Sequence, residues 1–262
     1  MLIREACVAD EVLCEVADGV AVLTLNRPDR HNAFNDAMDV LLWRLLAEVG
    51  DRDDVRAIVL RGAGKSFSSG RDVADLGRRP EGVSDHAFIE AGHKGTRLLY
   101  TLDKPIICAL KGWVIGGSFE RALLCDLRIA ASDARMMLPE VKHGVLCDSA
   151  GTARVFQIAG HGLATDLVLT GRVLDADEAL RHGIVARVVD PDDLDEVVLD
   201  MAREIASRPR LAVKLSLQTV RLLATPQVEQ TLDHELLAQT VLMASPEYQA
   251  QRDARLAQAE SP

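Results

Sequence analysis

Two kinds of segment that would mark a membrane or secreted protein are missing from this chain of 262 residues. No run of about 18 apolar residues occurs, so the sequence predicts no transmembrane helix. Residues 1–14 mix charged residues into their apolar ones, unlike the continuous apolar region of a secretory signal. We therefore expect a cytoplasmic protein without a membrane partner.

The histidines and cysteines are too scattered to suggest a metal site or a disulfide framework. The seven histidines form no H-E-x-x-H or comparable cluster, so no metal site is predicted. The five cysteines form no C-x-x-C pair, and most lie in apolar runs where a reduced thiol behaves as a small apolar side chain. They are Cys7, Cys14, Cys108, Cys125 and Cys147.

An excess of positive charge is missing as well. The formal net charge is −10 and the sequence pI is about 5.2, whereas a nucleic-acid binder needs a clustered basic face. We expect no nucleic-acid partner. A chain of this length with 48% hydrophobic residues can bury one large core, with or without a smaller appendage.

The stretch RGAGKSFSSGRD (61–72) contains a Gly-Lys-Ser that resembles the end of a phosphate-binding P-loop. A P-loop needs a glycine where this chain has Val59, and its lysine and serine open a helix. Here Lys65 and Ser66 continue into Phe67-Ser68-Ser69-Gly70, which predicts more loop. The P-loop interpretation therefore fails, and the later Gly70-Arg71-Asp72 turn needs another explanation.

The chain alternates strands, glycine-rich turns and helices as far as Pro191 and is helical after it. A hairpin is predicted around Asp18-Gly19, and a helix is predicted from Asn35, with Asn35 or Asp36 as its N-cap. The remaining predicted strands are 55–60, 105–110, 127–130, 134–138 and 184–190. Further helices are predicted at 84–100, 152–159, 163–169, after an Asp175–Glu178 cap, around 197–205, at 210–224, at 227–244 and after a Ser245-Pro246-Glu247 cap.

Two glycine turns, around Gly70 and Gly116-Gly117, each follow a strand and expose backbone N–H groups. Facing one another, they would form an oxyanion hole that stabilises a thioester or ester oxygen as it becomes an enolate. Glycines at strand ends also occur in simple turns, so spacing alone does not decide between an oxyanion hole and two ordinary turns. Ser118 is not a hydrolase nucleophile, because the G-x-S-x-G motif requires glycine where this chain has Glu120.

Two carboxylates follow the second turn. Glu120 lies in the first turn of the predicted helix, where an acid can also simply complement the helix dipole. Glu140 leaves the end of an apolar strand, where partial desolvation would raise its pKa and suit it to proton transfer.

In order and spacing these phrases resemble the enoyl-CoA hydratase/isomerase family, the crotonase superfamily, over nearly the whole chain. The matching phrases are LNRPDRHNAFN (25–35), IVLRGAGKSFSSGRDVADL (58–76), residues 104–146 and TGRVLDADEALRHGIVARVV (170–189). The resemblance implies an α/β crotonase (ClpP/crotonase-like) fold. This fold is a spiral of β-β-α units with the acyl-CoA site over residues 1–195, followed by a helical trimerisation segment over 196–262.

The resemblance also implies roles for residues. The backbone N–H groups of Arg71 and Gly117 would polarise the thioester oxygen, Glu120 would handle water, and Glu140 would protonate C2. Asp148 stands where many hydratases have glycine and where dienoyl-CoA isomerases carry a third carboxylate. The implied substrate-binding residues are Arg30, His31, Ser69, Gly70, Asp72 and Gly116.

Three positions depart from the family pattern. Ser118 replaces a glycine, Arg121 replaces a small apolar residue, and Cys147 replaces a proline. The family's basic C-terminal phrase is reduced here to QRDARLAQAESP.

We expect an enoyl-CoA hydratase that acts on a trans-2-enoyl-CoA, without metal or redox cofactor, as a homotrimer or a dimer of trimers. Coenzyme A enters only as part of the substrate. The alternatives are a double-bond isomerase of the same superfamily and a non-catalytic acyl-CoA binder.

Overall fold

The computed structural model describes residues 11–72, 75 and 81–259. Cys7, residues 73, 74 and 76–80 of the expected acyl-pocket segment, and the last residues of the C-terminal phrase lie outside the described residues. Within the described part, no helix combines the length and apolar character needed to cross a bilayer. The strands are β1 (Val12–Ala17), β2 (Val20–Leu25), β3 (Ala57–Gly62), β4 (Ile106–Leu110), β5 (Trp113–Ile115), β6 (Leu127–Ala131), β7 (Arg135–Met137), β8 (Leu174–Asp175) and β9 (Arg187–Val189).

These strands form two sheets. The larger has the order β1-β2-β3-β4-β6-β9, antiparallel between β1 and β2 and parallel elsewhere. The smaller has the order β5-β7-β8 and holds a strand that the sequence interpretation treated as part of a glycine-rich turn. β5 was not predicted because it is only three residues long and its partners, β7 and the loop after β3, lie beside it only in the folded chain.

The helices are α1 (Asp36–Asp51), α2 (Asp85–Thr101), α3 (Gly117–Leu124), α4 (Gly151–Thr170), α5 (Ala176–Arg181), α6 (Leu194–Ser207), α7 (Arg210–Met243) and α8 (Pro246–Ala259). Short 3-10 helices occupy Pro28–Arg30 and Glu140–His143. The predicted caps at Asn35, Asp175 and Ser245 are confirmed, because each side chain accepts a hydrogen bond from the backbone N–H three residues on. Ser84 caps α2 in the same way. Gly160, at φ 80°, interrupts α4 between its two predicted halves.

The prediction of two helices over 210–224 and 227–244 is wrong, because α7 runs through Pro226 as one helix. A proline inside a helix removes one backbone hydrogen bond and clashes with the preceding turn. Here packing against α2 and α4 holds both halves in line. The Gln157 amide of α4 also donates to the Ala224 carbonyl, at 3.0 Å, beside the proline.

The core lies on both faces of the larger sheet. In β3 the side chains of Ile58 and Leu60 join the main core beneath α1 and α3, whereas Ala57 and Val59 face α6 on the opposite side. Alternation of this kind follows from the two-residue period of a strand. Because α6 covers a sheet face and α7 packs on α2 and α4, the C-terminal helices contact the body of the chain. The division at residue 195 stays a prediction.

Candidate active site

Two isolated parallel bridges hold the loop after β3, one to the segment before α1 and the other to β5. The first pairs Phe34 with Arg71, and the second pairs Ser68 with Val114. In the first bridge the N–H of Phe34 donates to the Gly70 carbonyl and the N–H of Asp72 donates to the Phe34 carbonyl, both at 2.8 Å. Because Gly70 and Asp72 make these bonds to Phe34, the N–H of Arg71, which lies between them in the chain, points away from Phe34. It has no acceptor among the described residues.

The second turn begins with a glycine whose backbone conformation other residues rarely adopt. Gly116 has φ 58° and ψ −135°, and a Cβ there would lie 2.8 Å from Oε1 of Glu140. Gly117 is the first residue of α3, so its N–H has no partner within the helix. Nor does any other acceptor among the described residues meet it. The structure therefore places two unused N–H donors, those of Arg71 and Gly117, on one cavity.

Ser118 does not disturb this arrangement. Its hydroxyl is buried and lies 2.7 Å from the hydroxyl of Ser68, which itself donates to the Asn32 carbonyl at 2.7 Å. The N–H of Gly70 donates to the same Ser68 oxygen at 3.2 Å. The serine that replaces a glycine in the family pattern thus ties the two turns together.

The cavity has a volume of about 510 Å³ and collects most of the predicted site residues. Apolar side chains from α1, α2 and the C-terminal helices form much of its wall, including Trp43, Ile89 and Met243. The predicted residues that line it are Ser69, Gly70, Arg71, Gly116, Gly117, Glu120, Glu140 and Asp148.

Arg30, His31 and Asp72 are not among the residues that line the cavity. Arg30 is exposed, and His31 Nδ1 lies 3.0 Å from Ser66 Oγ in the neighbouring loop. Asp72 forms an ion pair with Arg27 at 3.1 Å. The predicted role of these three residues in substrate binding stays a prediction.

Glu120 is the most rigidly held carboxyl group of the site. It is 1% exposed, and its Oε2 accepts hydrogen bonds from the N–H groups of Ser149 at 3.0 Å and Gly151 at 2.9 Å. A Cβ at Gly151 would lie 2.4 Å from Glu120 Cγ, so only glycine leaves room there. Burial raises the pKa of Glu120 well above its ordinary value, and the charges of Glu140 and Glu235 raise it further.

Glu140 begins the 3-10 helix after β7 and is only partly buried. Burial raises its pKa to about 7, although hydrogen bonds from its own backbone N–H and from Cys147 oppose this shift. The Cys147 thiol donates to Oε2 of Glu140 at 3.5 Å. The cysteine that replaces the family proline thus contacts one of the two candidate catalytic acids.

A third glutamate, which the sequence analysis did not single out, reaches the same loop from α7. Glu235 is 3% exposed, and its Oε2 accepts a hydrogen bond from the Ala150 N–H at 2.9 Å. Ala150 has φ 60°, the left-handed conformation that costs a residue with a side chain about 1 kcal/mol or more. Glu120 therefore holds the amides of residues 149 and 151 while Glu235 holds the amide between them. Burial raises the pKa of Glu235 to about 9.

A signal for Glu235 was present in the sequence. The buried residues of the second half of α7 are Val228, Leu232, Glu235, Gln239 and Met243, so an acid and an amide lie within an apolar stripe. Such residues have a buried partner in a folded protein, because an unpaired polar group would cost several kcal/mol. Gln239 has one, since its Oε1 accepts from the Leu146 N–H at 3.2 Å.

Asp148 completes a group of four carboxyls. Its negative charge raises the pKa values of Glu120, Glu140 and Glu235. Its backbone carbonyl lies 2.6 Å from Nε2 of His93, a buried residue of α2. Desolvation lowers the pKa of His93, which favours the neutral imidazole. Because like charges disfavour one another at short range, the protonation of each glutamate depends on the charges of its neighbours.

Arg121, which replaces a small apolar residue of the family pattern, forms part of a charged wall of the cavity. Its guanidinium lies 2.7 Å from Asp39 and stacks on Phe34 and Trp43, with centroid distances of 4.2 Å and 5.1 Å. The side chain of Arg71 pairs with the same Asp39 at 3.1 Å and also with Asp36. These ion pairs draw the Arg71 side chain towards α1.

No metal site was predicted, but the structure brings one group of potential metal ligands together. One oxygen each of Glu120 and Glu140 and Sγ of Cys147 lie within 4.8 Å of one another. These are also the groups placed to move protons, so the absence of a metal requirement stays a prediction.

Comparisons with known proteins agree with the geometry. The family model described as enoyl-CoA hydratase/isomerase matches residues 15–256. The short-chain-enoyl-CoA hydratase of Clostridium acetobutylicum is 38% identical over 212 residues, which cover 80% of this chain and 81% of that protein. The 1,2-epoxyphenylacetyl-CoA isomerase of Escherichia coli is 33% identical over 240 residues, 90% of this chain and 92% of that protein. The crystal structure of an enoyl-CoA hydratase/isomerase from Pseudoalteromonas atlantica T6c aligns with a TM-score of 0.85 at 27% identity, over 96% of this chain and 98% of that one.

Proposed function

The chain belongs to the enoyl-CoA hydratase/isomerase family and has its crotonase fold, and on that premise we propose that it adds water across the 2,3 double bond of a trans-2-enoyl-CoA. One observation carries the proposal. Two carboxyl groups, Glu120 and Glu140, line the same cavity as the unused N–H groups of Arg71 and Gly117. A binding protein needs the donors but not the two acids.

The two N–H groups act as an oxyanion hole. They bind the thioester oxygen and stabilise the negative charge that develops there as water adds at C3. Both donors are fixed by the fold before substrate arrives, Arg71 by its bridge to Phe34 and Gly117 by the start of α3. Removing one such donor typically costs about 10²–10³ in kcat.

The two glutamates move the protons. Glu120 orients water and accepts a proton as the oxygen attacks C3, and Glu140 delivers a proton to C2 of the enolate. The raised pKa of Glu140, about 7, keeps a proton available near neutral pH. A proton then passes back from Glu120 to Glu140, whose oxygens lie within 4.8 Å of each other, so the cycle consumes no net proton. It requires neither metal nor redox cofactor.

A double-bond isomerase is the second candidate, favoured by one observation. Asp148 lines the cavity beside both glutamates and is a third carboxylate able to move a proton. An isomerase moves a proton between two carbons and adds no water.

The proposal also includes the oligomeric state of the protein and its location in the cell. The first half of α7 exposes the apolar residues Leu211, Leu215, Val220, Leu222 and Leu223, a surface suited to packing in a homotrimer or a dimer of trimers. The buried Cys108, Cys125 and Cys147 are unpaired thiols, in keeping with the cytoplasm.

A direct assay tests the proposal. The purified chain is given trans-2-enoyl-CoA thioesters of short, medium and long acyl chains, with and without chelator, and loss of the conjugated thioester absorbance is followed. Hydration is expected on at least one of them. Tight binding of every thioester with no turnover would leave the acyl-CoA binder, and turnover abolished by chelator would show that a metal is required.

A further inference from the structure

The arginines that line the cavity differ in what neutralises them. Arg71 pairs with Asp36 and Asp39, and Arg121 pairs with Asp39. Arg255 of α8 lines the same cavity but forms no ion pair with any carboxylate among the described residues. Buried guanidinium nitrogens without an acceptor are costly, so this positive charge of the cavity wall is available to be met by a ligand.

The hydrogen bonds of Arg255 show which of its atoms are free. Nη1 donates to the His143 carbonyl at 3.1 Å. Nε and Nη2 are each buried and have no acceptor. These two nitrogens lie on the same edge of the planar guanidinium, and that edge binds a carboxylate with two parallel hydrogen bonds.

The backbone around Arg255 fixes this edge close to the reacting groups. His143 ends the short helix that begins at Glu140, so the one hydrogen bond of Arg255 ties it to the segment that carries the proposed proton donor. Gly144, which follows this short helix, packs against α8, and a Cβ on this glycine would lie 2.7 Å from the side-chain amide of Gln251. The guanidinium also lies 5.8 Å from the ring centroid of the buried Tyr248, which limits its movement.

We propose that Arg255 binds a carboxylate on the acyl group, so that the preferred substrate is a 2-enoyl-CoA whose acyl chain ends in a second carboxylate. This inference rests on the proposed function. The phosphates of coenzyme A carry the same kind of charged oxygen, but they lie at the far end of the pantetheine arm. Arg255 is anchored three residues from Glu140, which acts on the carbon next to the thioester. The acyl carboxylate is therefore the closer match.

Binding of unreactive thioesters tests the proposal without relying on turnover. Calorimetry would compare glutaryl-CoA with pentanoyl-CoA, and adipoyl-CoA with hexanoyl-CoA, since each pair contrasts a terminal carboxylate with a methyl group. The wild type should favour the carboxylated member of at least one pair. Arg255→Met should reduce that preference by about 10- to 100-fold, the usual effect of losing a charged hydrogen-bonded pair.

Two further variants sharpen the result. Arg252→Met is the matched control, because Arg252 lies on the same helix but pairs with Asp253 at 2.8 Å and does not line the cavity. It should leave the preference unchanged. Arg255→Lys keeps the charge but loses the two-donor edge, so it should retain only part of the preference and also guards against misfolding of the methionine variant.

Several results would overturn the proposal. The first is a wild type that binds the two thioesters of each pair equally well. The second is an Arg255→Met variant that binds both thioesters of a pair equally less tightly, which would assign the arginine to the coenzyme A phosphates. A change in oligomer mass with Arg255→Met would assign it to a subunit contact. Turnover is measured in the same preparations with 2-pentenoyl-CoA and its carboxylated counterpart glutaconyl-CoA. The hydratase proposal fails only if neither thioester is hydrated, so its failure can be distinguished from failure of the Arg255 proposal.

Discussion

The first turn of α3 and the 3-10 helix at Glu140–His143 each bring one carboxyl group to the cavity, and they hold it in different ways. Glu120 is 1% exposed and receives two backbone N–H groups on a single oxygen. Glu140 is partly exposed and receives its own backbone N–H and the Cys147 thiol. The difference suits the two proposed tasks, because a group that orients water must be fixed, whereas a group that delivers a proton must exchange it with solvent.

The surroundings of each glutamate extend this contrast. Glu120 is held by the loop 149–151, which Glu235 supports from α7. Gly116 leaves space beside Glu140, since a Cβ there would meet its Oε1 at 2.8 Å. One carboxyl is thus surrounded by donors that α7 stabilises, and the other faces an open glycine turn.

Neutralising the two glutamates should have the largest effect. Glu120→Gln and Glu140→Gln should each keep acyl-CoA affinity and lower kcat by about 10²–10⁴, because each removes a proton-transfer group. The double variant should lose less than the product of the two single losses, since both residues serve one site. Steady-state kinetics with calorimetric binding tests this. One crippling and one mild substitution would instead indicate an isomerase that shuttles a proton with a single carboxylate.

The pH dependence of hydration should show the proton held by Glu140. Its pKa of about 7 lies above the ordinary value, so the acid form is lost as pH rises through about 7. We expect kcat/KM to fall above that pH, approaching tenfold per unit. Dehydration of the 3-hydroxyacyl-CoA should show the same descending limb, because the overall reaction takes up no proton. Activity that rises between pH 7 and 8.5 would contradict this role for Glu140.

Glu235 tests whether the fixed geometry of Glu120 matters. Glu235→Ala should lower kcat/KM roughly tenfold, because the Ala150 N–H loses its buried acceptor and the loop that holds Glu120 relaxes. Glu235→Gln should keep most activity, since its amide oxygen can still accept that hydrogen bond. Kinetics of both variants, with far-UV circular dichroism to confirm folding, decides the matter. Equal losses in the two variants would show that the site depends on the carboxyl group of Glu235 itself, and not on this hydrogen bond.

Glu235 has a second, thermodynamic consequence. Because its pKa is raised to about 9, the folded chain retains a proton that the unfolded chain releases near pH 4.5. Folding stability therefore declines as pH rises from about 4.5 to 9. Glu235→Gln removes this contribution, so its melting temperature should exceed that of the wild type by an amount that grows with pH over this range. A gain independent of pH would contradict the raised pKa.

The sequence predicted what local chemistry decides. Asp18-Gly19 makes the hairpin turn with both residues at positive φ, and Asn35 caps α1, because turns and caps depend on neighbours in the chain. The family resemblance is confirmed by the match over residues 15–256. By contrast, β5 and the continuous helix through Pro226 depend on contacts between distant segments. The same is true of the Arg71–Asp39–Arg121 cluster, since no spacing rule places α1 beside the loop after β3.

Asp148 should have the smallest effect of the four carboxyls if the chain is a hydratase. The family resemblance implies that many hydratases have glycine at this position, so with Asp148→Gly the kcat/KM for hydration near pH 6 should stay within a few-fold of the wild type. Loss of the Asp148 charge should lower the pKa of Glu140 and move the descending limb to lower pH, because that charge raises this pKa in the wild type. Asp148→Asn is the matched control that removes the charge without adding backbone freedom, and it should move the limb equally. Severe loss of activity in both variants, with dienoyl-CoA isomerisation measurable only in the wild type, would replace the hydratase by an isomerase that uses three carboxylates.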